Sequence, residues 1–154
     1  MLESWIRQPY QVILVDPVVR ILADYTTPTV ITIIAAVFGL LCVPALWFGH
    51  NAAAVVLLLL SGFCDTLDGA LARAQNTSSP FGSMLDIMCD RLVEFSVVFG
   101  FYLRSPLIHG IACMLMLGSI LLCITSFLVA GIFSENESHK SFHYSPGIIE
   151  RAEA

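Results

Sequence analysis

This sequence has little charge. Only 12% of its 154 residues are Asp, Glu, Lys or Arg, whereas 57% are hydrophobic. A soluble domain carries about twice that charge. Asp, Glu, Lys and Arg are absent from residue 25 to residue 64, and again from 105 to 134. Each gap exceeds the roughly 20 apolar residues that cross a bilayer, and the mean hydropathy is +0.83. This composition excludes a disordered chain, and it lacks the basic surface of a nucleic-acid binder, so no nucleic acid is expected as a partner. Paired cysteines are missing as well. Cys42, Cys64, Cys89, Cys113 and Cys123 stand alone in apolar stretches, which excludes a disulfide-stapled secreted module and leaves packing residues. A signal peptide is not expected, because Glu3, Arg7, Asp16 and Arg20 interrupt any apolar h-region. No internal repeat and no low-complexity tract is present. What remains is an integral membrane protein.

The expected fold is all-α: a polytopic transmembrane helical bundle of four full spans, the start of a fifth, and an N-terminal interfacial helix. Residues 1–24 are too interrupted to span and too apolar to float free, so they read as an amphipathic segment lying in the interface, broken by Pro9 and Pro17. Residues 25–154 form the transmembrane domain. Its spans are expected at about 28–49, 52–74, 81–103 and 107–133, with a fifth beginning at about 146. Pro28 suits a helical first turn, and the polar stretch Gln75 to Pro80 reads as a hairpin with a proline to restart a helix. With the N-terminus cytoplasmic, Arg7, Arg20, Arg73, Lys140 and Arg151 fall on or near that side, against Arg104 at the opposite corner. The positive-inside bias therefore puts the N-terminus and the 75–80 hairpin in the cytoplasm.

The second and third spans depart from the charge-free pattern. They carry Asp65, Asp68, Arg73, Asp86, Asp90, Arg91 and Glu94 in otherwise apolar sequence. A charge at membrane depth costs at least ~2.5 kcal/mol on insertion scales, so an intramembrane acid is a functional candidate. Asp65 and Asp68 are i,i+3, and Asp86 and Asp90 are i,i+4, so each pair shares a helix face. At ~1.5 Å per residue, Asp68 and Asp65 lie roughly 12 and 16 Å below the hairpin, and Asp86 and Asp90 roughly 9 and 15 Å. Two antiparallel helices thus bring four carboxylates to nearly one level. Their mutual repulsion calls for cations, and hard carboxylate oxygens suit Mg²⁺, Mn²⁺ or Ca²⁺. Apart from Cys89 no His or Cys lies on those faces, which argues against zinc. Gly69, Ala72 and Gly82 leave room for a close approach, although glycines in such helices more often serve packing. Arg73 at the cytoplasmic end is a natural phosphate partner.

Asp65-Thr-Leu-Asp68-Gly69-Ala-Leu-Ala72-Arg73, eight further residues, and Gly82-Ser-Met-Leu-Asp86-Ile-Met-Cys-Asp90 resemble the signature of the CDP-alcohol phosphatidyltransferases, D-x-x-D-G-x-x-A-R-x8-G-x3-D-x3-D, at every specified position. Thr27-Pro28-Thr29-Val30-Ile31-Thr32 is similar to the Pro-Asn-x-x-Thr opening of that family's first span, with Thr29 where Asn is usual. The resemblance implies transfer of a phosphatidyl group from a CDP-linked lipid such as CDP-diacylglycerol to a polar alcohol or alcohol phosphate, with release of CMP. It implies two Mg²⁺ or Mn²⁺ ions on Asp65, Asp68, Asp86 and Asp90, with Asp90 also the general base. Thr29, Thr32, Asp65, Gly69, Arg73 and Ser79 match positions that hold the CDP-lipid. Arg91, Lys140 and Arg151 are candidates for the acceptor, and a homodimer in the inner (plasma) membrane is implied. Family members have six spans, so a C-terminally truncated chain is expected, and Gly147 to Glu153 is similar to the start of the fifth.

Blander readings compete at several positions. Arg91 and Glu94 equally suit an ion pair steadying the third span, and Lys140 and Arg151 suit ordinary cytoplasmic charges. His109, His139 and His143 read as interfacial or solvated. Rival functions are a cation-binding channel or carrier, whose acids would spread along a path, and an inactive truncated remnant. An intramembrane aspartyl protease needs a Gly-x-Gly-Asp element, which is absent.

Overall fold

The computed structural model describes residues 10–133, and every element in them is helical. A π-helical turn, Gln11–Val15, runs directly into α1, Asp16–Leu22. Four long helices follow: α2, Pro28–Trp47; α3, Asn51–Ala74; α4, Pro80–Arg104; and α5, Pro106–Phe133. The boundaries lie within two residues of those expected from the sequence. The fifth span expected at about 146 lies outside the described residues.

Prolines set three of the starts. Thr27 and Ser79 are extended, at φ −105°, ψ 153° and φ −138°, ψ 153°. Ser105 is likewise non-helical, at φ −156°, ψ 80°. Each precedes a proline, whose ring disfavours the helical region for its predecessor while its own φ suits a first turn. Ser79 also accepts a hydrogen bond from the Gly82 N–H at 3.0 Å, capping α4.

Two helix ends close in the same way. After α2 the His50 N–H donates to the Ala45 carbonyl at 2.8 Å and the Gly49 N–H to Leu46 at 3.0 Å. After α3 the Thr77 N–H donates to Ala72 at 3.0 Å and the Asn76 N–H to Arg73 at 3.3 Å. These are Schellman closures, which need a left-handed residue just past the cap. Gly49 (φ 80°) and Asn76 (φ 54°) supply it.

Pro17 does not break the N-terminal segment as expected. It sits in the first turn of α1, where the ladder changes from π to α register, so its missing N–H interrupts nothing. Val15 and Val19 are buried with Ile31, Leu67, Ala70 and Leu71, which docks α1 on α3. Val12, Ile13, Leu14 and Ile21 are left exposed.

The central element is α2. Both α3 and α4 pack along it rather than along each other. Small residues make this possible. A Cβ at Gly39 would stand 2.3 Å from Val93 Cγ2, and one at Gly100 would stand 2.9 Å from Leu46 Cδ1. On the other side the Ser61 hydroxyl donates to the Ala35 carbonyl at 2.8 Å. Among the described residues, three helices are long and apolar enough to cross a membrane: Pro28–Trp47, Asn51–Ala74 and Pro106–Gly131, with mean hydropathies of 2.5, 1.7 and 2.4. At 25 residues α4 has the length, but Asp86, Asp90, Arg91 and Glu94 lower its apolarity. The described residues fall into two units, one ending at Cys113 and one beginning at Met114. In the first, the Cys113 thiol donates to the Val98 carbonyl at 3.5 Å. The second consists of the remainder of α5, and most of its side chains are exposed. The chain is an all-α membrane helical bundle.

Candidate active site

Helical spacing creates the site. The i,i+3 step on α3 aligns Asp65 with Asp68, and α4 brings Asp86 across from them although the two helices do not pack along one another. One carboxylate oxygen from each of Asp65, Asp68 and Asp86 lies within 4.8 Å of the other two. Asp68 is buried, and Asp65 and Asp86 are half-buried. Three hard oxygen donors that converge from two helices are the ligand type a divalent cation such as Mg²⁺, Mn²⁺ or Ca²⁺ takes.

Asp90 stands somewhat apart. It lies one turn further along α4, and its side chain is 48% exposed. Its Oδ2 is 3.7 Å from Arg91 Nη2, and Arg91 Nη1 donates to Glu94 Oε2 at 2.7 Å. The ion pair weighed for Arg91 and Glu94 is therefore formed. Its Nε is buried without a partner.

The residues matched to the CDP moiety surround the cluster unevenly. Arg73 is exposed, and its guanidinium folds back over Gly69, where a Cβ would meet Nη1 at 3.5 Å. Ser79 is exposed and engaged as the α4 cap. Thr29 is exposed in the first turn of α2. Thr32, one turn on, is buried and donates its hydroxyl to Asp68 Oδ2. Lys140 and Arg151 lie outside the described residues.

Sequence reasoning missed one anchor of this end of the bundle. Gln75, read only as part of a polar hairpin, donates through Nε2 to the carbonyls of Ala23 (2.8 Å) and Thr26 (2.9 Å). It ties the end of α3 to the turn before Thr29. Neither its residue type nor its spacing signals a partner so distant in sequence.

A family model described as CDP-alcohol phosphatidyltransferase matches residues 25–142. The chain belongs to that family. Among relatives of this CDP-alcohol phosphatidyltransferase family member, the inner membrane protein YnjF of Escherichia coli is 35% identical over 134 residues, covering 82% of this chain and 65% of the relative. The archaetidylinositol phosphate synthase of Pyrococcus horikoshii is 36% identical over 93 residues, 60% of this chain and 50% of the relative. The phosphatidylinositol phosphate synthase of Corynebacterium glutamicum is 30% identical over 152 residues, 96% of this chain and 67% of the relative. The chain thus spans about half to two-thirds of the length of these relatives. No solved structure gives a significant match.

Proposed function

We propose that this chain transfers a phosphatidyl group from CDP-diacylglycerol to an alcohol phosphate of the inositol-phosphate kind, releasing CMP. The observation that carries the reading is the meeting of the Asp65, Asp68 and Asp86 oxygens within 4.8 Å, inside a signature matched at every specified position. Acids gathered at one level are unlike the spread expected of a permeation path. The acceptor class is supported by relatives whose names include phosphatidylinositol phosphate synthase and CDP-diacylglycerol–inositol 3-phosphatidyltransferase.

In this reading Asp65, Asp68, Asp86 and Asp90 would hold two divalent ions, Mg²⁺ or Mn²⁺. Bound there, the ions would neutralise the pyrophosphate and favour in-line displacement. Arg73 and Gly69, with Thr29 and Ser79, receive the CDP group, since each presents surface at the α3–α4 end of the bundle. Asp90 accepts the proton of the acceptor hydroxyl. The acceptor oxygen then bonds to the lipid-side phosphorus as the bond from that phosphorus to the bridging oxygen breaks, and CMP leaves with the electron pair. Arg91, Lys140 and Arg151 are the acceptor-side cations.

Residues 25–154 constitute the transferase domain, and 1–24 lie along the interface with Val12, Ile13, Leu14 and Ile21 toward lipid. A span through α4 gives the bundle four crossings and leaves the acid end, with Arg73, on the cytoplasmic side of an inner membrane. We further propose a homodimer. The test supplies membranes containing the chain with labelled CDP-diacylglycerol, Mg²⁺ and a panel of acceptors. The expected result is CMP release with a labelled phosphatidylinositol phosphate product. Labelled CDP-lipid that stays intact with every acceptor would refute the reading.

A further inference from the structure

The carboxylates come from α3 and α4, but the element both helices pack on is α2, and α2 reaches the cluster through one polar side chain. Thr32 is 5% exposed and its hydroxyl donates to Oδ2 of Asp68, which is also 5% exposed. The same hydroxyl lies 3.1 Å from the Pro28 carbonyl, one turn back on its own helix. Its register is held on both sides. Ile31 is buried among Leu67 and Leu71 of α3, and the Ala35 carbonyl accepts from Ser61. Thr32 therefore cannot shift along Asp68 without breaking neighbouring contacts between α2 and α3.

We propose that Thr32 is a positioning residue for Asp68. By donating to Oδ2 it fixes the torsion of the carboxylate that a divalent cation would use. This inference rests on the transferase reading, and it divides the labour of two threonines that the resemblance assigns alike to the CDP-lipid. A hydroxyl has one proton to donate, and that of Thr32 is committed inside the protein. A side chain so buried has almost no surface to offer a nucleotide. Thr29, exposed one turn earlier, has that surface. Outer partners of metal-binding carboxylates commonly set both ligand orientation and metal affinity.

The experiment measures Mn²⁺ binding to the purified full chain in lipid nanodiscs, using the loss of the free-ion paramagnetic signal, with no substrate present. Thr32→Val keeps shape and removes the donor; it is expected to weaken Mn²⁺ binding by about 10- to 100-fold. Thr32→Ser keeps the donor and is expected to bind as wild type does. In an Asp68→Asn background Thr32→Val is expected to add no further loss, because the group it positions is already altered. At saturating Mn²⁺ the KM for CDP-diacylglycerol should be unchanged in Thr32→Val. Should Thr32→Val not accumulate in membranes, Thr32→Ala carries the same expectation. Wild-type Mn²⁺ affinity in the donor-less variants, or a Thr32→Ser as weak as they are, would overturn the proposal. So would a defect confined to the KM for CDP-diacylglycerol, which would make Thr32 a nucleotide contact. Wild-type chain that binds no Mn²⁺ would instead remove the transferase reading on which the proposal stands.

Discussion

Replacing Gly39 with alanine tests how closely the bundle's packing is tied to its chemistry. The added Cβ would fall 2.3 Å from Val93 Cγ2, 2.8 Å from Cγ1 and 2.9 Å from Cβ. Rotating the Val93 side chain can withdraw its two methyl groups but not its Cβ. Against a carbon–carbon contact of about 3.5–4.0 Å, the remaining shortfall is about 0.6–1.1 Å. The backbone of α4 must therefore retreat from α2 by most of that distance. Overpacking of this kind costs about 1–3 kcal/mol, and exchanging a helical glycine for alanine returns about 1 kcal/mol. The expected net loss of stability is small, about 0–2 kcal/mol. Function should suffer more. Asp86 lies two turns from Val93 on the same helix and moves with it, while Asp65 and Asp68 stay with α3. A misplacement of about 1 Å can cost about 100-fold in rate. Gly39→Ala is thus expected to melt near the wild-type temperature in detergent yet release CMP about two orders of magnitude more slowly. Moving the glycine across the contact, Gly39→Ala with Val93→Gly, removes all three clashing atoms and should recover much of the rate. Wild-type turnover in the single variant, or a double variant no better than the single, would refute the reasoning.

Three further outcomes follow from the same site. Excess EDTA should abolish CMP release and added Mg²⁺ or Mn²⁺ should restore it; full activity in chelator would remove the metal from the mechanism. Asp90→Asn should lower turnover by about 10²–10⁴-fold, the range of a general base, while largely sparing the KM for CDP-diacylglycerol, because Asp65, Asp68 and Asp86 remain. Wild-type-like turnover would exclude Asp90 as the base. Ser79→Ala should destabilise by about 1 kcal/mol through loss of the α4 cap, whereas Ser79→Asn should keep the cap. A melting temperature equal to wild type in Ser79→Ala would show that the Gly82 N–H needs no cap.

Much of this protein is legible in one dimension because its rules are local. Thr27-Pro28, Ser79-Pro80 and Ser105-Pro106 place three helix starts through a steric clash confined to adjacent residues. Gly49 and Asn76 mark two ends because a left-handed residue is needed there and few types adopt it. The facing of Asp65 with Asp68 follows from helical periodicity alone, and the cost of intramembrane charge makes them conspicuous. Arg91 and Glu94 were half-legible: their i,i+3 spacing allows the pair, but the spacing does not exclude an acceptor role.

Tertiary structure decided how these parts meet. The spacing set the acids of two antiparallel helices at one level without saying what those helices pack on; both lie along α2, and Gly39 and Gly100 let α4 approach it where Val93 and Leu46 fill the space. That approach depends on side-chain shapes matched between residues far apart in the chain, which no periodicity encodes. The same geometry drew Asp86 to Asp65 and Asp68 while leaving Asp90 a turn away beside Arg91. It also buried Thr32 against Asp68 and left Thr29 exposed. The sequence determined which acids stand out as candidates, since their identity and spacing are properties of the chain. Which of them touch, and which only support those that do, was decided by how three helices cross, because contact depends on the distances between their axes.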